Sequence, residues 1–129
     1  MLKLKNIHHL AIICSDYLVS KHFYTEILGL NIVNEAYRTD RKSYKLDLSI
    51  DGKYQIELFS FPDPPERVSG PEARGLRHIA FEIDDLTQSV KELNRKGVIT
   101  EEIRVDEFTG KKFVFFSDPD GLPIELCES

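Results

Sequence analysis

Hydrophobic and polar positions along this chain change rhythm several times, and each change marks an element. Residues 6–14 alternate and are rich in Ile and Leu, the period-two pattern of a strand with one buried face. From about 17 to 28 the period lengthens. Val19, Phe23, Ile27 and Leu30 recur at helical spacing, with Asp16 placed to cap the helix and Gly29 to end it. Strands are predicted near 31–38, 43–50 and 54–60, and Asp51-Gly52 between the last two is a strong hairpin signal. The rest of the chain reads as a strand at 77–83 and a helix at about 86–96 with Leu86, Val90 and Leu93 inward. Further strands are predicted near 100–105, 111–117 and 122–127, with a final turn at Asp118-Pro-Asp-Gly121.

The order βαβββ thus occurs twice, and the residues repeat with it. His9-Leu-Ala-Ile aligns with His78-Ile-Ala-Phe, and an aspartate follows each histidine after seven residues, Asp16 and Asp85. Each helix stops at a glycine, Gly29 and Gly97. Each half closes on the same tripeptide, Ile56-Glu57-Leu58 and Ile124-Glu125-Leu126. The His-to-Glu spacing is 48 residues in the first half and 47 in the second. The chain is therefore expected to be a single domain over 1–129, with one module at about 5–61 and the other at about 76–129. The turn-rich segment at about 62–75 is the linker.

Parity sorts the strand residues into two faces. In the strand at 43–50, Tyr44, Leu46, Leu48 and Ile50 form an apolar row, which must bury against the helices. Lys45, Asp47 and Ser49 form a polar row on the other face. By the same parity His9 and His78 point away from the apolar rows, as do Glu57 and Glu125, and those polar faces would curve towards each other. His8 has the opposite parity and reads as a surface residue or one that backs a ligand, and His22 as a solvent-edge residue of the helix. Carboxylates on an inward face are costly unless paired, hydrogen-bonded or bound to a cation. Two neutral imidazoles and two carboxylates make an N2O2 set that leaves a divalent metal neutral. Such a set suits Zn, Ni, Co, Mn or Fe better than Ca or Mg. His9, Glu57, His78 and Glu125 are therefore the expected metal ligands.

Composition narrows the partners. A net charge of −5 and a pI near 5.4 argue against a nucleic-acid surface. No apolar stretch approaches the ~20 residues of a membrane span. The two cysteines, Cys14 and Cys127, sit in apolar runs outside any CxxC pair. They read as buried free thiols, which with no secretory pattern fits a reducing cytoplasm. A small-molecule partner remains.

The stretches His9-Leu-Ala-Ile…Asp16, Phe23-Tyr-Thr-Glu-Ile-Leu-Gly29-Leu, Ile56-Glu57-Leu58, Gly75-Leu-Arg-His78-Ile-Ala-Phe and Asp118-Pro-Asp-Gly121-Leu-Pro-Ile-Glu125-Leu resemble the glyoxalase I and vicinal-oxygen-chelate superfamily over essentially the whole chain. The likeness is greatest to its short bacterial glyoxalase-like members. The resemblance implies an α+β fold in which paired βαβββ modules form an eight-stranded half-open barrel around one divalent metal, often as a homodimer. The family's ligand positions fall on His9, Glu57, His78 and Glu125. Since fold does not fix reaction, the ligand set has to discriminate. A second glutamate argues against extradiol dioxygenases, and a complete set argues against metal-free antibiotic binders. What the resemblance then implies is a lactoylglutathione lyase-like lyase, or an isomerase. It would move a proton next to a carbonyl through a metal-bound enediolate. Glu125 would be the base and Glu57 its counterpart. A non-catalytic metal or small-molecule binder and a thiol transferase are the alternatives. Lys45, Asp47, Arg104 and Phe113 are expected to contact substrate, with Ser49 and Glu102 on the same faces. Phe115, or the neighbouring Val114 and Phe116, would supply an apolar wall. Arg38, Arg67, Arg77 and Arg104 are candidates for holding a substrate carboxylate or phosphate, and together they make an anionic substrate plausible.

Overall fold

The first sheet is organised by the turn at Asp51-Gly52. In a computed structural model that describes residues 1–129, these two residues have φ of 50° and 76°. A two-residue hairpin of type I′ needs left-handed conformations at both central positions, and glycine meets the second without strain. The turn joins Ser43–Ile50 (β3) to Lys53–Ser60 (β4), and Leu10–Cys14 (β1) and Asn31–Arg38 (β2) complete the sheet. The order is β1-β4-β3-β2, with β1 parallel to β4 and the other pairs antiparallel. Ile79–Ile83 (β5), Arg104–Val105 (β6), Lys112–Ser117 (β7) and Pro123–Glu128 (β8) form a second sheet, β5-β8-β7-β6, with the same directions. Two helices, Tyr17–His22 (α1) and Leu86–Arg95 (α2), follow the first strand of each sheet. Hydrogen bonding thus groups the eight strands four to a sheet. The chain divides into two compact units, Met1–Pro65 and Glu66–Ser129, with one βαβββ set in each.

Both helices begin as the sequence predicts. The Asp16 carboxylate accepts from Val19 N at 3.2 Å, and the Asp85 carboxylate from Gln88 N at 3.0 Å. Each bond satisfies an amide that the first helical turn leaves without a partner. In the first unit the core includes Ile12, Phe23, Tyr24, Leu46, Leu48, Ile56 and Leu58; in the second it includes Ile79, Leu86, Leu93, Val114, Phe116, Ile124 and Leu126. Leu48 sits at the centre of β3 with no exposed surface. Leu48→Ala is expected to cost about 2–5 kcal/mol, lost transfer energy plus the cavity left behind. The check is a lower urea midpoint with an unchanged slope.

Four local features differ from expectation, each for a physical reason. The first helix becomes π-helical over Phe23–Ile27, with Leu28 N bonded to Phe23 O at 2.9 Å. The wider turn shifts the phase, so Ser20, Phe23 and Tyr24 are buried while Val19 remains 51% exposed. β1 starts at Leu10 rather than near residue 6, which leaves His8 and His9 outside the regular pleat. β6 shrinks to two residues. Upstream of it Glu101 N makes one bond to Phe115 O, and downstream the Asp106 carboxylate draws in the Phe108 and Thr109 amides. Glu102 therefore lies outside the strand, exposed. Cys14 is buried as expected, but Cys127 is only half-buried; both are free thiols.

Candidate metal centre

Each unit brings one predicted histidine to one predicted glutamate. In the first, Glu57 lies on β4 opposite Ala11 of β1, and His9 immediately precedes that strand. His9 Nε2 is 3.5 Å from Glu57 Oε2. In the second, Glu125 on β8 pairs with Ala80 of β5, and His78 immediately precedes that strand. His78 Nε2 is 3.2 Å from Glu125 Oε1. The same parallel pairing makes both contacts, which is why the sequence spacing repeats. No third His, Cys, Asp or Glu of the same unit joins either pair.

The donor chemistry fits a divalent metal. Two ligand atoms bound at ~2.0–2.2 Å and at angles between tetrahedral and octahedral lie roughly 2.8–3.6 Å apart, a range that includes both His–Glu separations. Each pair offers one neutral nitrogen and one anionic oxygen, the mixed set that borderline metals accept.

The surroundings of the two glutamates differ. Glu57 is buried to 9% exposure and Asp47, opposite it on β3, to 7%. Two adjacent buried carboxylates need donors. Lys45 Nζ lies 2.6 Å from Asp47 and 3.7 Å from Glu57, and the Tyr54 hydroxyl donates to both acids. Burial, reinforced by these neighbouring carboxylates, pushes the Tyr54 phenol well above its ordinary pKa. Tyr54 therefore donates to both acids at neutral pH. Glu125 has simpler company. Phe115 faces it across β7 and β8, and the Phe115 ring stands edge-on to His78 with centroids 5.1 Å apart. His78 makes the close contact to the Glu125 side chain, and Arg77 acts on it at longer range.

Tyr54 was not foreseen, because parity places it opposite Glu57. A bulge decides otherwise. Leu48 pairs with Ile56 but Ser49 pairs with Tyr54, so Gln55 is the extra residue and Tyr54 turns to the Glu57 face. The reading of His8 as a residue of the opposite face is also corrected. Its Nδ1 is 2.8 Å from His9 Nδ1, and its ring lies 5.6 Å from that of Tyr54. Ahead of the strand, alternation does not constrain it.

The remaining candidates fall into three groups. Lys45 and Asp47 belong to the Glu57 cluster; Ser49 is buried on the same face. Phe113 and Phe115 lie on the Glu125 face with the Arg104 guanidinium over both rings at 5.0 and 5.6 Å, whereas Val114 and Phe116 are core. Arg38 stacks in the same way on Phe59 and Phe61, at 4.9 and 5.7 Å. His22 is exposed on α1.

The family model of the Glyoxalase/Bleomycin resistance protein/Dioxygenase superfamily matches residues 6–126. The chain belongs to this superfamily. Among superfamily relatives it is 62% identical to the protein YwkD of Bacillus subtilis (strain 168), over 97% of this chain and 98% of that one. The crystal structure of the glyoxalase family protein from Enterococcus faecalis superposes with a TM-score of 0.88 at 47% identity, covering 96% of this chain and 98% of the other. Further away, "Glyoxylase I 4" of Arabidopsis thaliana is 27% identical over 98% of this chain and 72% of its own length. No helix is long and apolar enough to cross a membrane.

Proposed function

We propose that this chain is a metal-dependent enzyme, a glyoxalase I-like lyase or isomerase that moves a proton next to a carbonyl. The observation that carries the reading is the His–Glu pair made twice, at 3.5 and 3.2 Å, by the same strand pairing in each unit. In this reading His9, Glu57, His78 and Glu125 hold one divalent ion of the Ni, Zn, Co, Mn or Fe type. When bound, it supplies Lewis-acid polarisation of substrate oxygens. The likeness to a protein named a glyoxylase I supports the reaction class.

The chain's own residues divide the work. Glu57 is fixed by Tyr54, Lys45 and His9, so its role is to stay in place. Glu125 has one close partner, His78, and its carboxylate is the one assigned to take a proton from carbon and return it to the neighbouring atom. Phe113 and Phe115 shield that carboxylate from water and give the substrate an apolar wall, while Lys45, Asp47 and Arg104 supply its polar contacts. A small-molecule substrate, a cytoplasmic setting in keeping with free thiols, and assembly as a homodimer complete the proposal.

The test is isotopic. Metal-loaded protein is incubated in deuterated solvent with hemithioacetals, 2-oxo compounds and epimerisable thioesters. A correct substrate class should take up deuterium at the α-carbon or pass its proton to the neighbouring carbon. A metal-replete protein that exchanges none of them would replace the enzyme reading with that of a non-catalytic binder.

A further inference from the structure

The second unit holds a cavity of about 200 Å³ lined by three arginines, Arg67, Arg77 and Arg104, and two glutamates, Glu72 and Glu101. Phe115 forms part of its wall and also touches His78, so the cavity adjoins the His78–Glu125 pair. The sequence names Arg67, Arg77 and Arg104 as candidates for an anion, but it reads the segment at 62–75 as a linker and does not bring them together. Residues from Glu66 onward belong to the second unit. Arg67 fastens them there, with Nε donating to Ser69 Oγ at 2.9 Å and Nη2 to Leu76 O at 2.8 Å.

The arginines are not equally engaged. Arg77 gives two parallel bonds to Glu72, at 3.0 and 2.8 Å, and its Nη1 lies 3.1 Å from His78 Nδ1. Its Nε and Nη2 are taken up by Glu72. Arg67 keeps Nη1 unused. Arg104 makes no side-chain hydrogen bond; its nearest carboxylate is Glu101 at 3.6 Å, and its guanidinium rests against the Phe113 and Phe115 rings. A guanidinium positioned by ring contacts with no protein acceptor for its donors is available to a carboxylate.

We propose that this cavity is a carboxylate subsite, and that the substrate is a small organic acid anchored there by Arg67 and Arg104. The donors select the anion. Three guanidinium groups line the cavity with two carboxylates, and Glu125 beyond Phe115 also acts on Arg77, so the open donors of Arg67 and Arg104 rather than net charge favour a monoanion. A phosphate dianion would carry excess charge past Glu72 and Glu101. The volume selects the size: Val68, Ala73, Pro123 and Phe115 leave room for a short carbon stem, well below the ~300–1,000 Å³ of a pocket for a drug-sized ligand. The proposal deepens the proton-transfer reading and rests on it for what the acid undergoes, but binding itself requires neither metal nor turnover.

The experiment uses protein as purified, at constant ionic strength. Sodium butyrate, potassium phosphate and butylammonium chloride are titrated while the Arg104 Nε–Hε resonance is followed by NMR. Butyrate should shift it saturably, phosphate at least about tenfold more weakly, and butylammonium not at all. Arg104→Gln, a change at a surface-exposed side chain, should weaken butyrate binding roughly tenfold or more with the amide spectrum otherwise unchanged. Arg38→Gln in the first unit should leave it intact. Equal binding of phosphate, or full butyrate affinity in Arg104→Gln, overturns the subsite. Butyrate binding without isotope exchange would retain the subsite and remove only the reaction; exchange without butyrate binding would do the reverse.

Discussion

Glu125→Gln is expected to keep its bound metal and to lose about 100- to 10,000-fold in α-proton exchange, the usual contribution of a general base. An amide oxygen can still face a cation, but it does not accept a proton at neutral pH. The fold should be unaffected, because Glu125 lies half-buried on the face of β8 opposite the core residues Ile124 and Leu126. Deuterium uptake measured beside metal content by mass spectrometry separates the two effects. Glu57→Gln should behave differently. Tyr54 and Lys45 are arranged around a carboxylate, and an amide nitrogen turned towards either donor would disrupt the cluster. Metal loss is the expected dominant result there. Wild-type exchange by a metal-replete Glu125→Gln would remove Glu125 as the base, and a matching collapse in Glu57→Gln with metal retained would transfer the role.

The second large effect concerns the adjacent histidines. His9→Ala removes a ligand nitrogen and should abolish retention of the metal through desalting. His8→Ala is expected to weaken metal affinity by about 10- to 100-fold, the usual cost of losing a partner that orients a ligating imidazole. The basis is the 2.8 Å approach of the two Nδ1 atoms, one of which must carry the hydrogen. Thermal melts give an independent reading. A ligand that binds only the folded chain adds about 4 kcal/mol at a thousandfold excess over its Kd. Chelation should therefore lower the melting temperature of the wild type and leave His9→Ala unchanged. Equal losses in both variants would make His8 a ligand, and no loss in His9→Ala would take His9 out of the site.

Where alternation governs, the sequence was enough. β3 falls at 43–50 because Leu46 and Leu48 must face the buried side of the sheet, and a slip of one residue would invert every side chain. The repeated Ile-Glu-Leu was legible for the same reason: two buried neighbours fix where the glutamate points. Legibility ended where one residue breaks the period. The extra Gln55 brings Tyr54 to Glu57, the π-turn at Phe23–Ile27 exposes Val19, and the late start of β1 frees His8 from parity. Arg67 was legible as a candidate anion holder, but its hold on the connector was not. A turn-rich composition announces a connector, and says nothing of the carbonyls to which a guanidinium will fasten it.

The parallel pairing of β1 with β4 also bears on the order of assembly. The β3–β4 hairpin closes over two residues, whereas Leu10 must find Ile56, and in the second unit Ile79 must find Ile124. Chain-closure entropy rises with the length of the loop, so short-range hairpins nucleate and the amino-terminal strand of each module docks afterwards. The residue just ahead of each late strand is a histidine, and its glutamate waits on the strand that receives it. Each donor pair is therefore expected to shut like a latch when that strand docks. Fraying of β1 or β5 would open it before the hairpins beneath had begun to melt.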